Sequence, residues 1–133
     1  MVVDTSALLA YFDRTEAAHA SVTPVIEAAD ARVISPYVLA ELDYLVASRN
    51  GRQAELSILA ELLEGDWELA VMTDDDVQAA YDLLASYDET VGLADASNLV
   101  LAQRYRQDEI ATLDRRHFSY LRMPGGKPLT VVP

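Results

Sequence analysis

Short apolar segments alternate along this chain with segments of helical periodicity, and this alternation most limits the folds it can adopt. The first apolar segment is Met1-Val2-Val3, which leads directly to Asp4. Four further segments of this kind lie at 32–35, 67–72, 110–113 and 129–132. Strands that alternate with helices predict a parallel sheet covered on both faces. We therefore expect an α/β fold of three layers, α/β/α, around a mostly parallel sheet of four to five short strands.

Residues that start and stop helices support this division. Ser35-Pro36 combines a capping side chain with a proline suited to the first helical position, and Gly51 is typical of a helix end. Pro24 predicts a kink or a break near Thr23. The sequence contains no linker or low-complexity segment, so residues 1–133 are expected to form a single domain.

The composition excludes several classes of function. The chain has no cysteine, which excludes disulfides and thiolate metal sites. No apolar run is long enough to span a bilayer, and we expect a cytoplasmic protein that does not associate with membranes. The net charge of -12 disfavours nucleic-acid binding unless carboxylates hold divalent cations or the basic residues share one face. Six of the ten lysine and arginine residues lie between Arg104 and Lys127 and could form such a basic face, although a solvated surface explains this cluster at least as well.

Four acidic residues are expected at one edge of the predicted sheet. Asp4 ends the first strand and Asp114 ends the fourth, while Asp95 and Glu41 lie in the first two turns of their helices. In open α/β sheets, the carboxyl ends of strands and the amino ends of the following helices share the edge that binds ligands. Each acid alone also has a structural explanation, as a helix cap, a first-turn acid, a solvated side chain or a turn residue.

A cluster of this kind is most easily explained by a bound cation. Glu41 has mostly apolar neighbours along the sequence, and burying a carboxylate there is costly without a partner. Neighbouring carboxylates also repel and raise one another's pKa. Oxygen ligands without cysteine favour Mg²⁺ or Mn²⁺ over Zn²⁺, and such an ion supports phosphoryl chemistry.

Four short motifs that contain these acids resemble a known family. They are Asp4-Thr5-Ser6, Ala40-Glu41, Leu93-Ala94-Asp95-Ala96, and Thr112-Leu113-Asp114 followed by Phe118. Each motif is weak alone, but the four in this order and spacing resemble the PIN-domain family, and most closely its VapC branch. VapC proteins are the ribonuclease toxins of bacterial type II toxin–antitoxin pairs. The resemblance covers essentially the whole chain.

The resemblance implies a Mg²⁺- or Mn²⁺-dependent endoribonuclease that cleaves structured RNA, usually tRNA or rRNA, with a metal-activated water. It implies that Asp4 and Asp95 are the principal metal ligands and that Glu41 and Asp114 complete the catalytic site. Two hydroxyl residues, Ser6 and Thr112, would then orient Asp4 and Asp114, although local capping and hydrogen bonding at strand ends explain them equally well.

The resemblance also implies partners. VapC toxins form homodimers and are blocked by a cognate antitoxin, which often places a basic side chain in the acidic site. The Leu56–Leu63 stripe is a candidate interface, although core packing explains it at least as well. Arg115, Arg116 and His117 are candidates for RNA phosphate contacts, with pairing to surface acids as the structural alternative.

Three other functions remain open from the residues alone. A phosphotransfer enzyme of the haloacid-dehalogenase type would need a second aspartate where Ser6 stands. A response-regulator receiver would need a phospho-accepting aspartate at the end of the middle strand, where Thr73 follows. A non-enzymatic PIN-like binding domain would more readily have lost one of the four acids.

Overall fold

A computed structural model describes residues 1–88 and 90–133 of the chain. Within these residues the elements are β1 Val2–Val3, α1 Thr5–Phe12, α2 His19–Glu27, β2 Val33–Ile34, α3 Pro36–Asn50, α4 Arg52–Glu64, β3 Glu68–Leu69, α5 Asp74–Ser86, α6 Leu93–Arg104, β4 Glu109–Ala111, α7 Arg115–Phe118 and β5 Thr130–Val132. In the same residues, no helix is both long and apolar enough to cross a membrane.

The strands form one sheet in the order β3-β2-β1-β4-β5, and every described pairing is parallel. Val2 in the central strand β1 lies opposite Val33 on one side and Ile110 on the other. The prediction of an α/β fold with a parallel sheet of four to five short strands is therefore confirmed. The sheet places the carboxyl ends of β1 and β4 next to each other.

Helices cover both faces of the sheet, and β1 shows why. Consecutive residues of a strand point to opposite faces. Val3 packs in a core cluster with α1 residues such as Leu8, whereas Val2 packs in a second cluster with Leu99 of α6 and Phe118 of α7. The two clusters lie on opposite sides of the sheet, which gives the expected three layers.

Local signals in the sequence account for the helix that carries Glu41. Ser35 Oγ accepts a hydrogen bond from the Tyr37 N–H at 3.1 Å, and Pro36 occupies the first helical position of α3. Gly51 ends the helix with φ of 87°, a conformation that other residues rarely adopt. Glu41 therefore lies in the second turn of α3, at the end nearest the carboxyl edge of the sheet.

Helix α2 continues across Pro24, so of the kink or break expected near Thr23 the break does not occur. Proline removes one backbone hydrogen bond, but Val22 and Ile26 are buried in the core and hold the helix in place. The Leu56–Leu63 stripe, considered as an interface or as part of the core, is partly buried and partly exposed. Leu62 is buried in the core, whereas Leu56 and Leu63 are exposed, Leu63 at 74%.

Candidate active site

The four predicted acids line one cavity of about 370 Å³ at the carboxyl edge of the sheet. Asp4 directly follows β1, and Asp114 follows the neighbouring strand β4 after two residues. Asp95 lies in the first turn of α6, and Glu41 reaches the same cavity from α3. The other residues lining the cavity are Thr5, Ser6, Leu9, Leu45, Thr90 and His117.

Asp4 is the most deeply placed of the four carboxylates, with 8% exposure. It occupies the N-cap position of α1, yet its side chain makes no capping hydrogen bond. Asn98 Nδ2 donates to Asp4 Oδ1 at 3.0 Å, while Thr112 Oγ1 and Ser6 Oγ donate to Asp4 Oδ2 at 2.9 and 3.2 Å. The helix-cap explanation of Asp4 is therefore wrong, because both of its oxygens face other partners.

Ser6 and Thr112 connect the Asp4 carboxylate to the backbone that follows β4. Ser6 Oγ accepts the Leu113 N–H at 2.9 Å, and Thr112 Oγ1 accepts the Asp114 N–H at 3.0 Å. A hydroxyl that accepts a backbone N–H still has its own proton to donate. In this arrangement Thr112 directs its proton to Asp4, and Ser6 can direct its proton to Asp4 or to Thr112 Oγ1, 3.1 Å away.

Burial raises the pKa of Asp4 above its ordinary value, and this is the largest effect on that group. The hydrogen bond from Thr112 lowers the pKa, whereas the nearby negative charge of Asp95 raises it further. The net direction is upward, so the hydrogen bonds do not fully offset the loss of water around this carboxylate.

Asp95 combines a structural role with its place in the cavity. Its Oδ2 accepts the Gly92 N–H at 2.9 Å, which caps α6, and its side chain is 22% exposed. Burial raises its pKa; the Gly92 hydrogen bond and His117 lower it, and the charges of Asp114 and Glu41 raise it. The explanation as a first-turn acid is thus correct for one oxygen, while the charges of Asp114 and Glu41 still raise the pKa of the Asp95 carboxyl.

Glu41 and Asp114 stand nearer the solvent. Glu41 is exposed, in agreement with the solvated side chain considered for it, although it still lines the cavity. The turn of α3 directs the adjacent Leu42 into the core and Glu41 away from it. The Asp114 side chain is 48% exposed, and its Oδ1 accepts the His117 N–H at 3.0 Å at the start of α7.

His117 is the basic side chain that the structure brings into this cavity. Its Nδ1 lies 3.2 Å from Asp114 Oδ2 and 3.8 Å from Asp95 Oδ2. Its Nε2 is buried and has no hydrogen-bond partner among the described residues. Arg115 and Arg116 are exposed on α7 beside the cavity but do not line it. The carboxylates therefore have no arginine or lysine partner within the described part of the chain.

Asn98 is the functional candidate that the sequence analysis missed. It is fully buried, it holds one oxygen of Asp4, and its own Oδ1 has no partner among the described residues. The available signal was a polar amide within the apolar stretch 96–102 of α6, three residues after Asp95 and hence on the same helix face.

The donor set fits a hard divalent cation. The cavity offers carboxylate and hydroxyl oxygens and the imidazole of His117, and burial raises the pKa of its two inner acids. Across residues 1–88 and 90–133, no group of three or more acidic or histidine side chains is arranged so that it could hold a metal ion by itself. Mg²⁺ commonly uses only one or two carboxylates and keeps several waters, so a pair of aspartates satisfies it.

Comparisons with known proteins agree with the fold and the motifs. The PIN domain family model matches residues 1–122. The chain is 56% identical over 135 residues to Ribonuclease VapC26 of Mycobacterium tuberculosis (strain ATCC 25618 / H37Rv), with all of both sequences covered.

Two solved structures illustrate the similarity of fold. VapC20 of Mycobacterium tuberculosis, a sarcin-ricin loop cleaving toxin, matches with a TM-score of 0.77 and 23% identity, over 85% of this chain and 88% of that one. A toxin–antitoxin complex from Klebsiella pneumoniae matches with a TM-score of 0.69 and 22% identity, over 99% and 95%. Because the family model spans most of the sequence and the identity extends over its full length, the chain belongs to the PIN-domain family and, within it, to the VapC-type toxins.

Proposed function

We propose that this chain is a Mg²⁺- or Mn²⁺-dependent endoribonuclease, the toxin of a type II toxin–antitoxin pair, that cleaves structured RNA such as tRNA or rRNA. The observation that carries the proposal is the convergence of four carboxylates on one cavity without an arginine or lysine partner among the described residues. The 56% identity to a protein named a ribonuclease supports the same activity. A cytoplasmic location would give such an enzyme access to these RNAs.

In this proposal Asp4 and Asp95 are the principal metal ligands. When bound, the ion supplies an activated water and offsets the negative charge that builds on the phosphate oxygens. Ser6 and Thr112 hold Asp4 in place, and the hydrogen bonds described above support that role. Glu41 and Asp114, at the exposed side of the cavity, complete the site directly or through ordered water.

The RNA would meet the cavity on the side of α7. Arg115 and Arg116 are exposed there, and we propose that they bind phosphates flanking the scissile one. His117 would share this role from within the cavity, where its charge, when protonated, also moderates the repulsion between Asp95 and Asp114. A bound cation makes this acidic protein able to accept a polyanion.

The proposed partners are a cognate antitoxin and a second copy of the chain. The Klebsiella pneumoniae neighbour is a toxin–antitoxin complex, which supports an antitoxin partner here. A homodimer is proposed from the family resemblance, and the exposed Leu56 and Leu63 of α4 are apolar residues available for such contacts.

The decisive experiment incubates purified protein with total RNA in EDTA, Mg²⁺ or Mn²⁺ and maps new 5′ and 3′ ends by sequencing. Cleavage at defined positions is expected with either ion and not in EDTA. Asp95→Asn should lower the rate at least about 100-fold, because it removes a ligand of the ion.

Asp76→Asn is the matched control. Asp76 Oδ2 accepts the Thr73 N–H at 2.9 Å and caps α5 in the same way that Asp95 caps α6, but it does not line the cavity. The control should lose helix-cap stability and retain cleavage. Equal activity of wild type and Asp95→Asn would refute the proposed role of Asp95 as a metal ligand. Metal binding without any cleavage would refute the nuclease and favour a non-enzymatic PIN-like domain.

A further inference from the structure

An exposed aromatic ring stands beside the acidic cavity and has no role in the proposed cleavage. Tyr120 follows α7 and is 41% exposed. Its ring centroid lies 5.8 Å from that of His117, with 33° between the planes, and 6.0 Å from that of Tyr87. Its hydroxyl oxygen lies 3.3 Å from Thr90 Oγ1. Because His117 and Thr90 line the cavity, Tyr120 is one side chain away from the acids.

The position of this ring is defined, although much of its surface faces solvent. The contacts with His117, Tyr87 and Thr90 restrain it from three directions. Its near neighbours Phe118 and Leu121 are fully buried in the core, so the exposure of Tyr120 is not shared by the apolar residues around it. A restrained exposed ring loses little conformational entropy when a flat ligand covers it.

We propose that Tyr120, together with the edge of His117, forms a stacking site for the base of a single-stranded nucleotide adjacent to the scissile phosphate. This inference rests on the proposed ribonuclease function and adds a base-binding subsite to it. Unpaired RNA bases commonly stack on tyrosine and histidine rings, with little dependence on sequence.

The surroundings of the ring favour a nucleotide over an apolar side chain of a protein partner. The acidic cavity, once it holds a cation, attracts a phosphate on one side of Tyr120. Arg115 and Arg116, exposed on the preceding helix, offer positive charge to the next phosphates. A nucleotide, which carries a base beside its phosphates, suits an exposed ring that lies close to the cavity and follows a helix with two exposed arginines.

The test uses a fluorescent single-stranded oligoribonucleotide of about 12 nucleotides that contains the cleavage position mapped with total RNA. Equilibrium binding is measured by fluorescence anisotropy with Mg²⁺ in the Glu41→Gln background, which retains Asp4 and Asp95 as the proposed metal ligands and is expected to cleave slowly, and KM and kcat are measured in the otherwise wild-type enzyme. The variants are Tyr120→Ala, Tyr120→Leu and Tyr120→Phe. Leucine preserves apolar contact with Tyr87 without an aromatic face, and Tyr81→Ala on α5 is a control at another exposed tyrosine.

Loss of the ring should raise Kd and KM by about 5- to 150-fold, the range of one base–aromatic stack, with little effect on kcat. Tyr120→Phe and Tyr81→Ala should bind like the parent. Oligonucleotides that lack one base should show a penalty at one position beside the cut, and Tyr120→Leu should abolish that penalty. Thermal unfolding confirms that each variant is folded.

The outcomes separate this inference from the function on which it rests. Cleavage by the parent enzyme with equal Kd for Tyr120→Leu and Tyr120→Phe would overturn the stacking site and leave the nuclease intact. Absence of cleavage would overturn the nuclease; the anisotropy measurement would then use an unstructured oligouridine of the same length, and it would still report on stacking. A missing-base penalty that persists in Tyr120→Leu would also overturn the inference.

Discussion

Replacing Thr112 by valine should destabilise the protein strongly, because one hydroxyl serves both the deepest carboxylate and the backbone beside it. Thr112 is fully buried; its Oγ1 donates to Asp4 Oδ2 at 2.9 Å and accepts the Asp114 N–H at 3.0 Å. Losing a hydrogen bond to a charged group costs about 1.5–3 kcal/mol, and losing the partner of the N–H costs about 1 kcal/mol more. The expected decrease in unfolding free energy is therefore about 2.5–4 kcal/mol, since valine preserves shape and strand propensity.

Thr5→Val provides a matched control next to Asp4. Thr5 is also buried, but its Oγ1 has no hydrogen-bond partner among the described residues. Removing an unpaired buried hydroxyl should leave the unfolding free energy within about 1 kcal/mol of wild type, or raise it. The two substitutions are chemically identical, so their difference isolates the hydrogen bonds of Thr112.

The free energy of unfolding of both variants is measured by urea titration at neutral pH in EDTA, with circular dichroism as the signal. The m-value shows whether either substitution changes the unfolded state. We expect the free energies of unfolding of Thr112→Val and Thr5→Val to differ by at least about 1.5 kcal/mol. Equal stabilities of the two variants would show that the hydroxyl network around Asp4 does not hold this edge of the sheet together.

Three further predictions concern the ion, the pH and the RNA. Mg²⁺ at about 100 times its Kd should stabilise the protein by about 2.7 kcal/mol and raise the Tm by roughly 10 °C, an effect that calorimetry should find largely lost in Asp95→Asn. Burial raises the pKa of Asp4 and Asp95 in the folded protein above the ordinary value of 3.8. Without metal, the contribution of these carboxyls to the free energy of unfolding is therefore fully present below pH 3.8, and it is lost as the pH rises through their folded pKa values. Urea titrations in EDTA from pH 4 upward should show a smaller loss for Asp95→Asn than for wild type. Arg115→Gln and Arg116→Gln should each raise KM at unchanged kcat and reduce the salt dependence of binding by about one ion, whereas Arg14→Gln, away from the cavity, should match wild type in the same assays.

The sequence predicts the fold and the gathering of the acids because both depend on the order of elements. Asp4 and Asp114 follow strands, and parallel strands end at the same edge of a sheet. The chain alone does not say that β1 and β4 are neighbours, and it is the strand order of the structure that shows it. Trp67, next to the third strand, lies in the core with 9% exposure.

The details that sequence reasoning missed depend on how helices are rotated about their axes. Asn98 reaches Asp4 across 94 residues because α6 turns that face toward β1, and nothing local to either residue encodes the contact. Leu62 and Leu63 are neighbours on α4, yet Leu62 is buried in the core and Leu63 is exposed. Neighbours along a helix point in different directions, so the apolar character of a stretch does not determine the burial of one member.

The four carboxylates differ in burial, and we expect them to have different roles in the proposed metal site. Asp4 is fixed by three side-chain donors and carries a raised pKa, whereas Glu41 and Asp114 are exposed. In the proposed site Asp4 would hold the ion from the inner side, and Glu41 and Asp114 would complete the site from the side that faces solvent. Because the inner acids bind protons more tightly than ordinary carboxylates, a cation must displace those protons as the pH falls. The metal affinity of the proposed nuclease should therefore decline at a higher pH than that of a site built from carboxylates with ordinary pKa values.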